Sequence, residues 1–346
     1  MSTQGNGDLN VTSETPLGTA VMTYRSAVAA AIEDAMIADE RVILMGEDVA
    51  SEGGVFKTTV GLVERFGPSR VFNTPICENG FLGVALGMAV TGLRPIVEIM
   101  FSDFLAMGAD ALVNEIAKFR FLSGGQFTVP LTIRATGGGS GRFGAQHSAT
   151  AESWFIQQPG LNVVTSSSPG GAYSALRAAI AGDDPTLVIE HKSLYERSGP
   201  VTRTGAEGAA SRGASTLRPG SDVTVVATML MADRCLAAAE RVADEGIDVE
   251  IIDPTWLRPL DIEAIRVSAE RTGRLLVVEE QVHAGGWGAT VISELAIRGV
   301  ELRCPPRALS IADDILVPYS PTLEDTVLPS IDNIANAVRE IASRGD

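Results

Sequence analysis

The chain has 346 residues, 45% of them hydrophobic, enough to bury a large core and to favour two domains over one. Its formal charge of −16 and pI near 4.7 argue against nucleic acid and anionic membranes as partners, because phosphate binding needs clustered Lys or Arg. Cys77, Cys235 and Cys304 are widely separated without CxxC spacing, which disfavours a disulfide framework or a zinc site and suits a reducing, cytoplasmic setting.

Residues 1–17 are polar and rich in Gly, Ser and Thr, and read as a flexible tail with no signal-peptide pattern. From Val21, Ala, Ile and Met recur at helical spacing, and RVILMGED follows as a strand closed by Gly and acids. The alternation continues. The uncharged run after Glu78 reads as a buried helix, too short and too glycine-rich for a membrane span. RPIVEIMF reads as a strand and DFLAMGADALVNEIAKFRFLSGG as one helix ended by Gly-Gly. VPLTIRATG, NVVTSS and TLVIEH are further strands, with GGAYSALRAAIAG a helix before the last. Strands interleaved with helices imply a parallel sheet covered on both faces.

This first α/β unit is expected over 18–196. Residues 197–220 lose apolar periodicity and fill with Gly, Ser, Arg and Pro, which predicts a linker. From 221 to 346 the strand–helix alternation resumes as a second, smaller doubly wound domain. No fixed-period repeat is evident.

In open parallel sheets ligands bind beyond the carboxyl ends of strands, so polar groups just after a strand are weighed first. Glu78 follows RVFNT and opens the apolar helix. Its ordinary role is a first-turn acid that favours the helix dipole; its functional role is a carboxylate kept dry, able to share a proton with a ligand. Phe104 follows RPIVEIMF and is either a core aromatic or a flat face for a cofactor ring. His147 ends TGGGSGRFGAQHS, a loop with more glycine than packing accounts for, and is either a backbone-bonded loop histidine or a proton donor in a cleft. His191, after TLVIE, reads as structural, and His283 is left open between roles. No GxxxxGK[ST] loop, GxSxG elbow or dinucleotide fingerprint occurs.

Taken in order, TPICENGFLGVALGMAVTGLRPIVEIMFSDF, NEIAKFRFLSGG, GAQHS, QPGLNVV, AIAGDDPTLVIEHKSLY, DPTWLRPLD and VPYSPTLE resemble the β subunit of the thiamine diphosphate-dependent 2-oxo acid dehydrogenases, the decarboxylating component of the pyruvate, branched-chain and acetoin complexes. The resemblance runs from Thr19 nearly to the C-terminus. It implies a transketolase-like pyrimidine-binding domain followed by a transketolase C-terminal-type domain. It makes Glu78 the glutamate that hydrogen-bonds the cofactor's aminopyrimidine, Phe104 the aromatic packed on that ring, and His147 the histidine that assists substrate handling and acyl transfer. The family's monovalent cation site, usually potassium and built from backbone carbonyls, falls at Leu131, Ala179, Ile180, Gly182 and Asp184, with Gly182 in place of the usual Asp.

The same resemblance implies an α subunit that carries a GDG motif for the diphosphate and Mg2+, since none is found here, in an α2β2 heterotetramer that is active only when assembled. It also implies a lipoylated acyltransferase that receives the acyl group from a small 2-oxo acid or acetoin. Departures from the family pattern are Ala149 after QHS, Gln157 before PGL, the Asp110-Ala111 pair, and Cys77 where Ser is common. They motivate an alternative, a two-chain carboligase of transketolase or acyloin-synthase type without a lipoyl partner. A non-catalytic scaffold is a third reading, disfavoured by the presence of Glu78, Phe104 and His147 together.

Overall fold

The computed structural model describes residues 18–204 and 212–344; the expected tail at 1–17 and part of the expected linker, 205–211, lie outside the described residues. Strands form where the apolar runs predict them. Val42–Gly46, Arg94–Ile99, Thr132–Gly137 and Thr186–His191 are almost wholly buried, as central parallel strands covered by helices on both faces must be. They form the middle of a seven-stranded sheet in the spatial order Trp256–Arg258, Asn162–Val164, Thr186–His191, Thr132–Gly137, Arg94–Ile99, Val42–Gly46, Val71–Asn73. All neighbours run parallel except Trp256–Arg258, an edge strand delivered by the second half of the chain.

From Val42–Gly46 the chain goes outward to Val71–Asn73, then returns to the other side as Arg94–Ile99. Strand order therefore reverses there, and the crevice beyond those carboxyl ends is the expected ligand position. The second sheet has the order Arg307–Ile311, Leu275–Val282, Val223–Ala227, Val249–Asp253, Ser215–Arg218, with only the last strand antiparallel.

The stretch expected as a linker carries structure at both ends. Ser198–Arg203 pairs antiparallel with Gly18–Thr23, and Ser215–Arg218 closes the second sheet. The single helix expected over 103–125 is broken as well, into a 3-10 turn Ser102–Ala106, a π-helical turn Ala111–Ile116 and a short helix Phe119–Leu122. One cause is close packing on the helix Glu78–Val90. A Cβ at Gly108 would stand 2.5 Å from Leu82 Cδ1, so the backbone reaches that helix only because glycine is there.

A buried ion cluster ties the central strands together below the crevice. Arg134 is 2% exposed; its Nη1 donates to Glu98 Oε2 at 2.6 Å, and its Nε and Nη2 donate to Glu190 at 2.7 and 2.9 Å. Burial works against the guanidinium charge, but Glu190 and Glu98 outweigh it and hold Arg134 protonated. Arg134→Met should therefore destabilise the fold by about 3–5 kcal/mol, because two buried carboxylates lose their counter-charge. Denaturant unfolding reads this directly, and a loss below about 1 kcal/mol would show that the cluster is not needed for stability. Among the described residues no helix is long and apolar enough to cross a membrane.

Candidate active site

Glu78 is placed by the turn between Val71–Asn73 and the helix it opens, at the crevice where strand order reverses. It is 8% exposed and makes no ion pair or side-chain hydrogen bond among the described residues. Beside it stands a second buried acid, Glu47, directly after the strand Val42–Gly46. Burial pushes the Glu47 carboxyl up, and the neighbouring charge of Glu78 pushes it further. Glu47 Oε1 is buried with no hydrogen-bond partner.

Phe104 and His147 are brought into contact. Their rings meet edge to face with centroids 5.5 Å apart, and His147 stacks on Phe101 at 4.3 Å with 25° between the planes. Phe101 also meets Phe104 edge to face at 5.9 Å. Glu78 reaches this aromatic cluster through the 102–111 segment, since a Cβ at Gly108 would lie 3.6 Å from the Glu78 Cβ and Ala111 N donates to Asn79 Oδ1 at 2.9 Å.

Lys192 completes the cluster: its Nζ donates to His147 O at 2.5 Å and lies over the Phe143 ring at 5.3 Å. Burial pulls its ammonium down to about 8, against the opposing pull of Glu280, Asp103 and Glu324. Burial raises the Asp103 carboxyl, opposed in part by Lys192 and His147. Asp103 Oδ2, His147 Nδ1 and Ser148 Oγ are buried without hydrogen-bond partners, as is Glu47 Oε1. Buried polar groups are ordinarily satisfied, so unpartnered atoms on Asp103, His147 and Ser148, close to the aromatic cluster, fit a site for a polar ligand.

Glu47, Phe101, Asp103 and Lys192 were not singled out from the sequence. Glu47 carried the same signal as Glu78, an acid just after an apolar strand. Phe101, Asp103 and Lys192 lie inside the quoted stretches MFSDF and EHKSLY, but only the folded loop shows that they meet His147. His191 is fully buried and bonded to Glu280, in keeping with a structural role, whereas His283 is exposed on the second domain.

The five residues of the expected cation site lie at the opposite, amino ends of the strands. Their carbonyls are already engaged. Arg94 donates from Nε and Nη2 to Ile180 O at 3.1 and 2.9 Å and from Nη2 to Gly182 O. Leu131 O accepts from Thr186 N at 2.9 Å, Ala179 O from Gly182 N at 3.1 Å, and Asp184 O from Thr186 Oγ1 at 3.2 Å. Arg94 thus holds two of the five carbonyls and the other three each accept a hydrogen bond, although a carbonyl oxygen has a second lone pair with which it can still face a cation. Among the described residues no group of three His, Cys, Asp or Glu side chains is placed to hold a metal ion.

Fold and crevice together define a transketolase-type pair of domains: the transketolase pyrimidine-binding domain matches residues 20–198, and the transketolase C-terminal domain matches residues 213–334. The chain is 36% identical over 330 residues to the mitochondrial pyruvate dehydrogenase E1 component subunit beta-1 of Arabidopsis thaliana, covering 94% of this chain and 91% of that one. It is 38% identical over 333 residues to the acetoin:2,6-dichlorophenolindophenol oxidoreductase subunit beta of Bacillus subtilis, covering 93% and 97%. The solved structure titled "Split gene transketolase, inactive beta4 tetramer" superposes with a TM-score of 0.76 at 23% identity, over 94% of this chain and 100% of that one, a likeness of fold alone. The chain belongs to the family of β subunits of thiamine diphosphate-dependent 2-oxo acid and acetoin dehydrogenases.

Proposed function

We propose that this chain forms one wall of the cofactor site in a cytoplasmic 2-oxo acid or acetoin dehydrogenase and passes the acyl unit to a lipoylated acyltransferase. The observation that carries the reading is Glu78, a buried acid without a counter-charge at the crevice where strand order reverses. Thiamine diphosphate, when bound, supplies the electron sink that breaks the carbon–carbon bond next to a carbonyl. Glu78 holds the aminopyrimidine nitrogen through a charge-assisted bond in a place where water cannot weaken it. Glu47 stands beside it as a second acid whose carboxyl burial pushes up. Phe104 offers its ring as packing for the pyrimidine, and His147, stacked on Phe101, donates or receives a proton at the substrate.

The diphosphate and Mg2+ are assigned to an α subunit in an α2β2 assembly, because the sequence has no GDG motif and, among the described residues, no group of three His, Cys, Asp or Glu side chains is placed to hold a metal. No step is assigned to potassium. The α-paired enzyme, offered pyruvate or acetoin with a lipoyl domain, is expected to reductively acylate that domain. Carbon–carbon bond formation with no need of a lipoyl acceptor would instead establish the carboligase alternative.

A further inference from the structure

The loop that carries His147 is gripped by the second domain on both sides of the histidine. Its glycines are there for packing after all. Gly138 has φ +90, and a Cβ on it would lie 2.0 Å from His191 Nε2; at Gly139 it would lie 2.7 Å from Leu328 Cδ1, and at Gly144, φ +71, 2.3 Å from the Tyr319 ring. The backbone is pressed so closely between His191 and the second domain that no side chain fits.

Two consecutive residues of the strand Leu275–Val282 supply the anchors. Before His147, Gly139 N donates to Glu280 Oε1 at 2.8 Å. The other oxygen, Glu280 Oε2, accepts from His191 Nε2 at 2.8 Å, while His191 Nδ1 accepts from Ser193 N at 3.2 Å and so leaves the ring proton on Nε2. After His147, Thr150 Oγ1 donates to Glu280 O at 3.3 Å, and Gln281 Nε2 donates to Thr150 O at 2.9 Å and to Glu152 Oε2 at 3.0 Å. His191, Glu280 and Gln281 are all buried, so these bonds act where competing water is scarce.

We propose that Glu280 and Gln281 are positioning residues for His147, so that the second domain, although it holds none of the expected catalytic side chains, sets where that ring stands. A loop this rich in glycine has little stiffness of its own. Its two stems are fixed from outside, and the His147 ring is held on Phe101 as a result. The inference rests on the reading that His147 acts in turnover.

The test combines amide exchange with a double-mutant cycle in the assembled enzyme. Glu280→Gln must lose a bond, because Gly139 N and His191 Nε2 both donate and an amide offers only one accepting oxygen. Gln281→Met keeps the volume and removes the donor, which guards against a fold lost through the buried Glu280 pair. Both variants should speed amide exchange in peptides spanning 137–150 and leave the strand Arg94–Ile99 unchanged. Each should lower kcat about tenfold with KM little altered when His147 is present, and by less than about twofold when His147→Ala is the background. Equal losses in both backgrounds, or unchanged exchange and turnover, would overturn the positioning role. If His147→Ala alone leaves turnover intact, the reading of His147 fails first and takes the inference with it. If His147→Ala cuts turnover but the other two variants act equally in both backgrounds, only the inference fails.

Discussion

Glu78→Gln in the enzyme assembled with its α subunit is expected to cut turnover by about 10²–10⁴-fold while assembly and melting temperature stay nearly unchanged. Glutamine fills the same volume and still offers one accepting oxygen, so the crevice keeps its shape. What it loses is the negative charge and the capacity to share a proton. Stability should hardly move, because Glu78 makes no ion pair or side-chain hydrogen bond among the described residues and so has no internal partner to abandon. Removing its charge also relieves Glu47, whose carboxyl it helps to raise. Steady-state kinetics with a melting curve on the same sample separates the cases. A loss under about twofold would take Glu78 out of the catalytic machinery.

The second large effect concerns the chain on its own. Without the α subunit it should show no turnover and should bind thiamine diphosphate with Mg2+ at least about 10²-fold more weakly than the assembled enzyme, since the lost diphosphate contacts are charge-assisted ones. Charge supports this. The chain is formally −16, and among the described residues no group of three His, Cys, Asp or Glu side chains is placed to hold Mg2+. Calorimetric titration of the isolated chain and of the assembled enzyme gives the comparison, and tight binding with unaided turnover by the isolated chain would contradict the need for a partner.

Much of this architecture is legible in the sequence because its signals are local. Buried strands such as VILMG and TLVIEH are continuous apolar runs, and Glu78 is marked by a strand before it and a long uncharged helix after it. The missed elements depend on distant partners. Ser198–Arg203 is a strand because Gly18–Thr23 lies opposite it, and its mixed exposure gives no apolar run to find. Trp256–Arg258 is three residues long and borrows its neighbour, Asn162–Val164, from the other domain. The break in the expected helix at 103–125 reflects contact with Leu82 and Glu78, which no helical periodicity encodes.

The site divides along the same line. Glu78, Phe104 and His147 each follow a strand and can be found by position. Their company cannot. Phe101 meets His147 across 46 residues of sequence, and Glu280 meets Gly139 across 141. The glycine-rich loop is the clearest case. From its own residues it looks freed from packing, whereas His191, Leu328 and Tyr319 press on it so closely that only glycine is tolerated.

The most direct test of the role of Glu78 is the rate of deuterium exchange at C2 of the thiazolium ring of thiamine diphosphate, measured on the assembled enzyme with and without Glu78→Gln. Exchange should slow by about 10²-fold or more in the variant at saturating cofactor. An unchanged exchange rate, with the cofactor fully bound, would show that the buried carboxylate does not tune the ring and that the crevice works some other way.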